Sequence, residues 1–496
     1  MNNRVVMIRN ILWFYFLFTT AFTFYLQVIF SSHWMALVPY AFAGCLFILK
    51  PAYYFRELGK LYKNVSFSLQ WFVLAYACFL LIKAIISLYY GLSIQQIFRD
   101  IFLYLFPVST YYLVVFEDDE NCFKYAFLAI VSASILSGAY YFYESFFKAI
   151  FHLPTEFAEQ AFYYAFMRSG AESIEDINRL RVGWESRASG LMMLHSHSAT
   201  WVAIGAYAIN ALPNKWEWTK YISAFALFIF ISNLTFIVFG GMVYPVYYLL
   251  IACLIIVAYI LFQTDTLIKH MKWYALTISF LLLMLVVNFT AIVSFVMVFI
   301  LIFLKDIKFK FRKMSLNSYS IGCSICSLLM IGLLYWQTGH PLFEKMVYFL
   351  KYNIGFIFFP TESMEYSYIS LTLHNVSQYF VKIAGSPYLL FMGEINGVSV
   401  SYRGGDTGFI ESILVIGLPF YSSFIIYILF LLWKYRGQKN NEIYEINICR
   451  QNGFALPSLL FIALMEAHYS VWIDKSLAII LFLSLAIISR NRTVIE

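Results

Sequence analysis

Trp71-Phe72-Val73-Leu74-Ala75-Tyr76-Ala77-Cys78-Phe79-Leu80-Leu81-Ile82 is apolar on every face, and its reading decides the fold. A helix at the surface of a soluble domain keeps a polar stripe, and a strand of a membrane barrel alternates polar with apolar; this stretch does neither. Residues 276–287 read the same way. The whole chain of 496 residues is 62% hydrophobic and 12% charged, which leaves too few polar residues to clothe several soluble domains. Apolar runs near the ~20 residues that cross a bilayer core recur from the N-terminus almost to the last residue. Two polar stretches, 150–188 and 338–407, interrupt them.

The net charge of +7 suggests a nucleic-acid partner, but its distribution argues against one. Lys50/Arg56/Lys60/Lys63, Lys305/Lys308/Lys310/Arg312/Lys313, Lys434/Arg436/Lys439 and Arg490/Arg492 occupy alternating connections, as cytoplasmic basic residues do in a polytopic protein. Spans are expected near 11–30, 34–49, 67–89, 97–116, 124–147, 189–211, 220–239, 243–262, 273–288, 290–304, 317–337, 408–433, 454–470 and 473–489. Residues 273–304 allow barely ~16 residues per crossing and can be one broken helix, so the count is about 12–14. The expected fold class is thus all-α, a polytopic integral membrane bundle forming a single transmembrane domain over 1–496. Its termini are cytoplasmic, and the two large loops, 150–188 and 338–407, lie on the other side.

Arg4 and Arg9 precede an apolar run at 11–30 that is too long for a signal-peptide core, so it reads as an uncleaved first span. Cysteines 45, 78, 122, 253, 323, 326 and 449 avoid both long loops and imply no external disulfide framework. Cys323 and Cys326 have C-x-x-C spacing but sit among Ile and Leu, where plain packing is the reading. The acidic run Glu117-Asp118-Asp119-Glu120 reads as a solvated turn, and Lys83, Glu144, Lys148, Glu466 and Asp474 as snorkelling or mutually paired charges. No repeat of 20–50 residues is visible, and phosphate-binding glycine loops, H-E-x-x-H and G-x-S-x-G are absent.

The first loop ends in Arg179-Leu180-Arg181-Val182-Gly183-Trp184-Glu185-Ser186-Arg187 and passes at once into an apolar helix carrying His195 and His197. Basic residues are normally withheld from the outer face, so three arginines there call for a reason. One is an anion, because arginine offers a planar charged fork to phosphate. The other is pairing with Glu172, Glu175, Asp176 and Glu185 nearby. His195 and His197 point to nearly opposite sides of a helix and cannot share one metal, though either can line a cavity.

The second loop supplies His374-Asn375 and then Tyr402-Arg403-Gly404-Gly405-Asp406-Thr407-Gly408, which opens the span from Phe409. Glycines turn the backbone sharply before a helix whose first N–H groups attract anions, and Arg403 adds a full charge beside them. Asp406 is either an N-cap or a catalytic group, and one residue can do both. Glu411, inside the same span, is costly in lipid unless it faces a cavity, which makes it a second candidate acid or base.

With these residues in view, the chain resembles the bacterial O-antigen and capsule polymerases of the Wzy type and, more loosely, the related O-antigen ligases. The architecture carries most of the likeness. Local matches are Arg187-x-x-Gly190 entering a helix; Gly385-Ser386-Pro387 and Gly393; and Gly405-Asp406-Thr407-Gly408-Phe409 followed by Ile416-Gly417-Leu418-Pro419. His374-Asn375 resembles a His-Asn pair of the family but lies further from the next span.

The resemblance implies a bundle similar to the GT-C class and a glycosyltransferase needing neither metal nor cofactor, at the periplasmic face of the bacterial inner membrane. Its substrates would be oligosaccharide repeat units linked by diphosphate to undecaprenol, and its partners membrane lipids and a chain-length regulator protein, with no nucleic acid. The growing chain would pass to the non-reducing end of a new repeat unit, releasing undecaprenyl diphosphate. Arg187, Arg403, Arg181 and Arg179 suit the diphosphate, and Asp406, His374 and Glu411 are the available bases, in that order. His195, His197, Trp184 and Tyr402 are candidate cavity-lining residues. Two alternatives stay open: an O-antigen ligase acting on lipid A-core, and a lipid-linked oligosaccharide flippase. Flippases are usually built from two related halves with short loops, and this chain has neither.

Overall fold

The computed structural model describes residues 3–30, 33–49, 67–89, 91, 93–117, 120–142, 195–211, 275–276, 279–280, 282–283, 288–303, 368–393, 408–437, 446–466, 472 and 475–493. Among these every regular element is helical, so the class is all-α. In chain order they are α1 (Asn3–Ala21), α2 (Thr23–Ile29), a 3₁₀ turn (His33–Leu37), α3 (Val38–Ile48), α4 (Phe67–Tyr89), α5 (Ile94–Val115), α6 (Glu120–Phe142) and α7 (His195–Ala211). Then come α8 (Phe289–Val298) with a π turn (Phe299–Phe303), α9 (Tyr368–Gly385), α10 (Tyr388–Met392), α11 (Gly408–Ile416), α12 (Leu418–Gly437), α13 (Ile446–Met465) and α14 (Lys475–Thr493). Among the described residues no helix is long and apolar enough to cross a membrane, so the bilayer is argued below from where apolar side chains point. The spans expected at 220–239, 243–262 and 317–337 lie outside the described residues.

The helices follow local chemistry. Asn288 caps α8, its side-chain oxygen accepting from the Ala291 backbone N–H at 3.0 Å. Pro39 opens α3, where its missing N–H leaves no bond unmade. Near the end of α1, Thr19 and Thr20 donate back to the carbonyls of Tyr15 and Phe16, both at 2.6 Å, where α1 gives way to α2.

The core is built around α6 and α7. These pack on each other along most of their length, with α1 against α6 and α13 against α7; α14 then joins α13 to α5. Small residues make the close approach possible. Ala199, Ala203 and Ala206 of α7 are buried, as are Ala126, Ala129 and Ala133 of α6, and the Ser134 hydroxyl donates to the Val202 carbonyl at 3.2 Å. A Cβ added at Gly205 would overlap the Cβ and Oγ of Ser134. Aromatic side chains fill the space further out, as where Tyr207 stacks on Phe295 and Phe127 meets Phe454.

Apart from single hydroxyls buried along the helices, two clusters of polar side chains lie at opposite ends of this bundle. At one end Arg9 on α1 forms an ion pair with Glu117, just past α5, and the Trp13 indole N–H donates to the other carboxylate oxygen at 3.0 Å. Tyr111 donates to Ser489 at 3.0 Å at this same end, bringing the end of α5 to the end of α14. The acidic turn is therefore not wholly solvated: Glu117 is 2% exposed. Its charge is tolerated there because a guanidinium and an indole satisfy it together.

The span expected over 408–433 is two helices. Gly417 separates α11 from α12 with φ 77°, a conformation that a side chain would strain. A Cβ there would strike the carbonyl of Phe391, and one at Gly393 (φ 71°) would strike that of Leu414. Two glycines thus let α10 and the α11–α12 break meet backbone to backbone.

Two outcomes check this packing. Gly205→Leu forces α6 from α7 and lowers the thermal stability of the purified protein by about 1–3 kcal/mol or more. Glu117→Ala leaves the Arg9 charge buried without its carboxylate and costs about 3–5 kcal/mol, whereas the Arg9→Met/Glu117→Leu pair recovers much of that in the same melting experiment.

Candidate functional site

The opposite end of the bundle gathers the elements that follow the polar loops. α7 begins there after the first loop, α11 after the second, and α14 after the short connection from α13. Two hydrogen-bonded contacts tie them. Ser412 on α11 donates to Glu466, one residue past α13. His197 on α7 shares a 2.8 Å hydrogen bond through Nε2 with Ser476 Oγ on α14, and the Trp201 indole N–H donates to that hydroxyl at 3.4 Å. Trp472 lies between α13 and α14, buried against Tyr76 of α4, Phe424 of α12 and Phe482 of α14.

Glu411 is buried in the first turn of α11, at 6% exposure. Ile410 and Leu414 of the same helix form a small apolar cluster with Leu389 of α10, onto which Val376, Tyr379 and Ile383 of α9 pack. This holds α9, which belongs to the second polar stretch, against α10 and α11. His374 and Asn375 belong to α9.

His195 opens α7. His197 is nearly closed off from solvent, and its ring meets the Ser476 hydroxyl, which the Trp201 indole also engages, an arrangement that fixes the imidazole within the packing. Arg179, Arg181, Trp184 and Arg187 of the first loop, and Tyr402, Arg403 and Asp406 of the second, lie outside the described residues. Of the candidate residues, the structure therefore assembles Glu411 and His197 at the end where both loops enter. Among the described residues no three His, Cys, Asp or Glu side chains come together as metal ligands would.

Two charges that the sequence reading set aside belong to this end. Glu466 is 2% exposed and engages α11 through Ser412. Lys83 of α4 extends its ammonium to the carbonyl of Val415 at 2.6 Å. The reason is chemical: in a continuous helix that carbonyl would accept from the N–H of residue 419, and residue 419 is proline. The signal available beforehand was a lone lysine in an apolar run together with Gly417-x-Pro419.

Comparison with known proteins adds no name to this arrangement: no protein family, no curated protein and no solved structure matches the chain.

His197→Ala deprives the Ser476 hydroxyl and the Trp201 indole of their shared network. The expected loss is about 1–3 kcal/mol of stability, read as a lower melting temperature, with His197→Gln milder because its amide can still meet Ser476.

Proposed function

We propose that this chain is an integral membrane glycosyltransferase of the polysaccharide-polymerase kind. It joins undecaprenyl-diphosphate-linked oligosaccharide repeat units at the periplasmic face of the bacterial inner membrane. The observation that carries the proposal is that the helices following the two polar loops are tied to the same turn between α13 and α14, α7 through His197 and Ser476 and α11 through Ser412 and Glu466, with Glu411 buried in the first turn of α11.

The bilayer is supported by where the apolar side chains point. Ile85 and Tyr89 of α4, Ile48 of α3, Ile426 and Leu429 of α12, Met7 and Tyr15 of α1, and Ile300 and Leu301 after α8 all face outward. Meanwhile Thr20, Ser132, Ser134, Ser137, Ser198, Thr200, Ser412, Ser458, Ser476, Ser484 and Ser489 are buried. Water would penalise an apolar exterior of that kind; hydrocarbon favours it, because lipid covers the outward-facing side chains. The alternating basic clusters place the termini, and with them the Arg9–Glu117 end, in the cytoplasm. The loop-bearing end is then periplasmic.

The chemistry follows from the residue types. An acceptor sugar hydroxyl attacks the anomeric carbon of the growing chain; the new C–O bond forms as the bond to the lipid diphosphate breaks and its electron pair leaves with undecaprenyl diphosphate. Arg187, Arg403, Arg181 and Arg179 carry fixed positive charge to meet that leaving group. The hydroxyl proton passes to a carboxylate or imidazole, with Asp406, His374 and Glu411 as the residues for that role. A metal-free diphosphate departure needs charge of this kind, and arginine supplies it at any physiological pH.

One observation favours a second reading. The break between α11 and α12 places irregular backbone inside the bundle, as discontinuous helices do in transporters, so a lipid-linked oligosaccharide flippase is the alternative. The two part company in a deletion strain: loss of a polymerase leaves a single repeat unit on the core glycolipid, and loss of a flippase leaves none. Within the polymerase reading, Arg187→Ala abolishes the polymer ladder on a lipopolysaccharide gel while single-repeat product and the amount of inserted protein are unchanged. A ladder of parental length in that variant removes Arg187 from the site.

A further inference from the structure

The α11–α12 break is held from three sides, and each hold uses a different interaction. Lys83 of α4 donates to the Val415 carbonyl that Pro419 leaves without its helical partner. Glu466, beyond α13, accepts from Ser412. α10 presses its backbone into the gap that Gly393 and Gly417 keep open. Closing a proline break needs no lysine on a neighbouring helix, since a serine or threonine hydroxyl or an ordered water serves that purpose. A full charge on α4 and another past α13, both directed at a nine-residue helix, do more than satisfy hydrogen bonds. They fix its rotation and its height, because charge-assisted bonds in a low-dielectric interior tolerate little displacement. Glu411 lies just ahead of the two attachment points, next to Ser412 and one turn before Val415.

We propose that Lys83 and Glu466 are positioning residues of the transferase: they clamp α11 so that Glu411 is presented at the end of the bundle where the second loop enters. This rests on the polymerase reading for its consequence in catalysis. Neither residue touches the reacting atoms. Their effect is exerted through the place of α11, and a displacement near 1 Å suffices to slow a reaction on the order of 100-fold.

The test uses the full-length protein in native membranes, with the lipid-diphosphate-linked repeat unit as substrate. Lys83→Met and Glu466→Gln are expected to lower kcat on the order of 10- to 100-fold with KM changed less than about twofold. Lys83→Arg, which keeps a donor and a charge, recovers most of the rate. Lys83→Gln, whose neutral amide can still donate to Val415, keeps the amount of folded protein but not kcat. If Lys83→Gln has full kcat, Lys83 only completes a hydrogen bond and the proposal is overturned, as it is by an unchanged kcat in Lys83→Met. A readout independent of turnover is the alkylation rate of Phe409→Cys by a membrane-impermeant maleimide, expected to change at least threefold when Lys83→Met is added. An unchanged rate overturns the clamp. If the parent protein makes no polymer while the alkylation rate still shifts, the transferase reading fails and the clamp on α11 stands.

Discussion

The close approach of α6 and α7 is the constraint on which the rest of the bundle depends. On the proposed membrane reading there is no hydrophobic drive for two apolar helices to associate, because lipid tails solvate leucine as well as another leucine does. Dispersion contacts must do the work, and they grow only if backbones come near. Gly205 against Ser134, with alanines above and below, gives that proximity, and α1 and α13 then pack on the outer sides of the pair. Bulk at this one seam would move every helix that reads its place from it.

Once the seam is set, two clusters of polar side chains tie the helices around it. The Arg9–Glu117–Trp13 cluster and the Tyr111–Ser489 bond tie α1, α5 and α14 at the terminal end. The Ser412–Glu466 and His197–Ser476–Trp201 contacts tie α7, α11, α13 and α14 at the other. The first cluster is self-contained: a guanidinium, a carboxylate and an indole. The second opens towards the loops and sits beside a helix that is interrupted, braced and only nine residues long.

The helices themselves were readable in the chain because apolar runs near the thickness of a bilayer have few other uses; the stretch at 67–89 is one helix, Phe67–Tyr89. The break within 408–433 was signalled by Gly417 and Pro419, yet an interrupted helix and a kinked one share that signature. What separates them is α10, whose backbone occupies the space beside Gly417, and no local rule places α10 there. Glu411 was legible as a candidate because a carboxylate in an apolar helix is costly. Lys83 and Glu466 carried the same signal and were set aside as snorkelling or paired charges, since their partners, a carbonyl 332 positions away and a serine 54 away, leave no trace in sequence spacing. Glu117 was misread as part of a solvated turn for the same reason: its partner is 108 residues distant.

By itself the sequence determined the all-helical class, the neighbourhood of the long apolar helices though not their ends, as where 11–30 is Asn3–Ala21 and Thr23–Ile29 and 454–470 is Ile446–Met465, and the residue types able to meet a diphosphate or take a proton, because these follow from hydropathy, local propensity and the chemistry of single side chains. Tertiary structure alone decided which charges are buried together, that α11 stops at Gly417 and is braced by Lys83, and that the helices following both loops reach the same end. Those outcomes depend on contacts between segments far apart in the chain, where a carbonyl orphaned by one proline is satisfied by a lysine on another helix. Neither residue alone specifies the other.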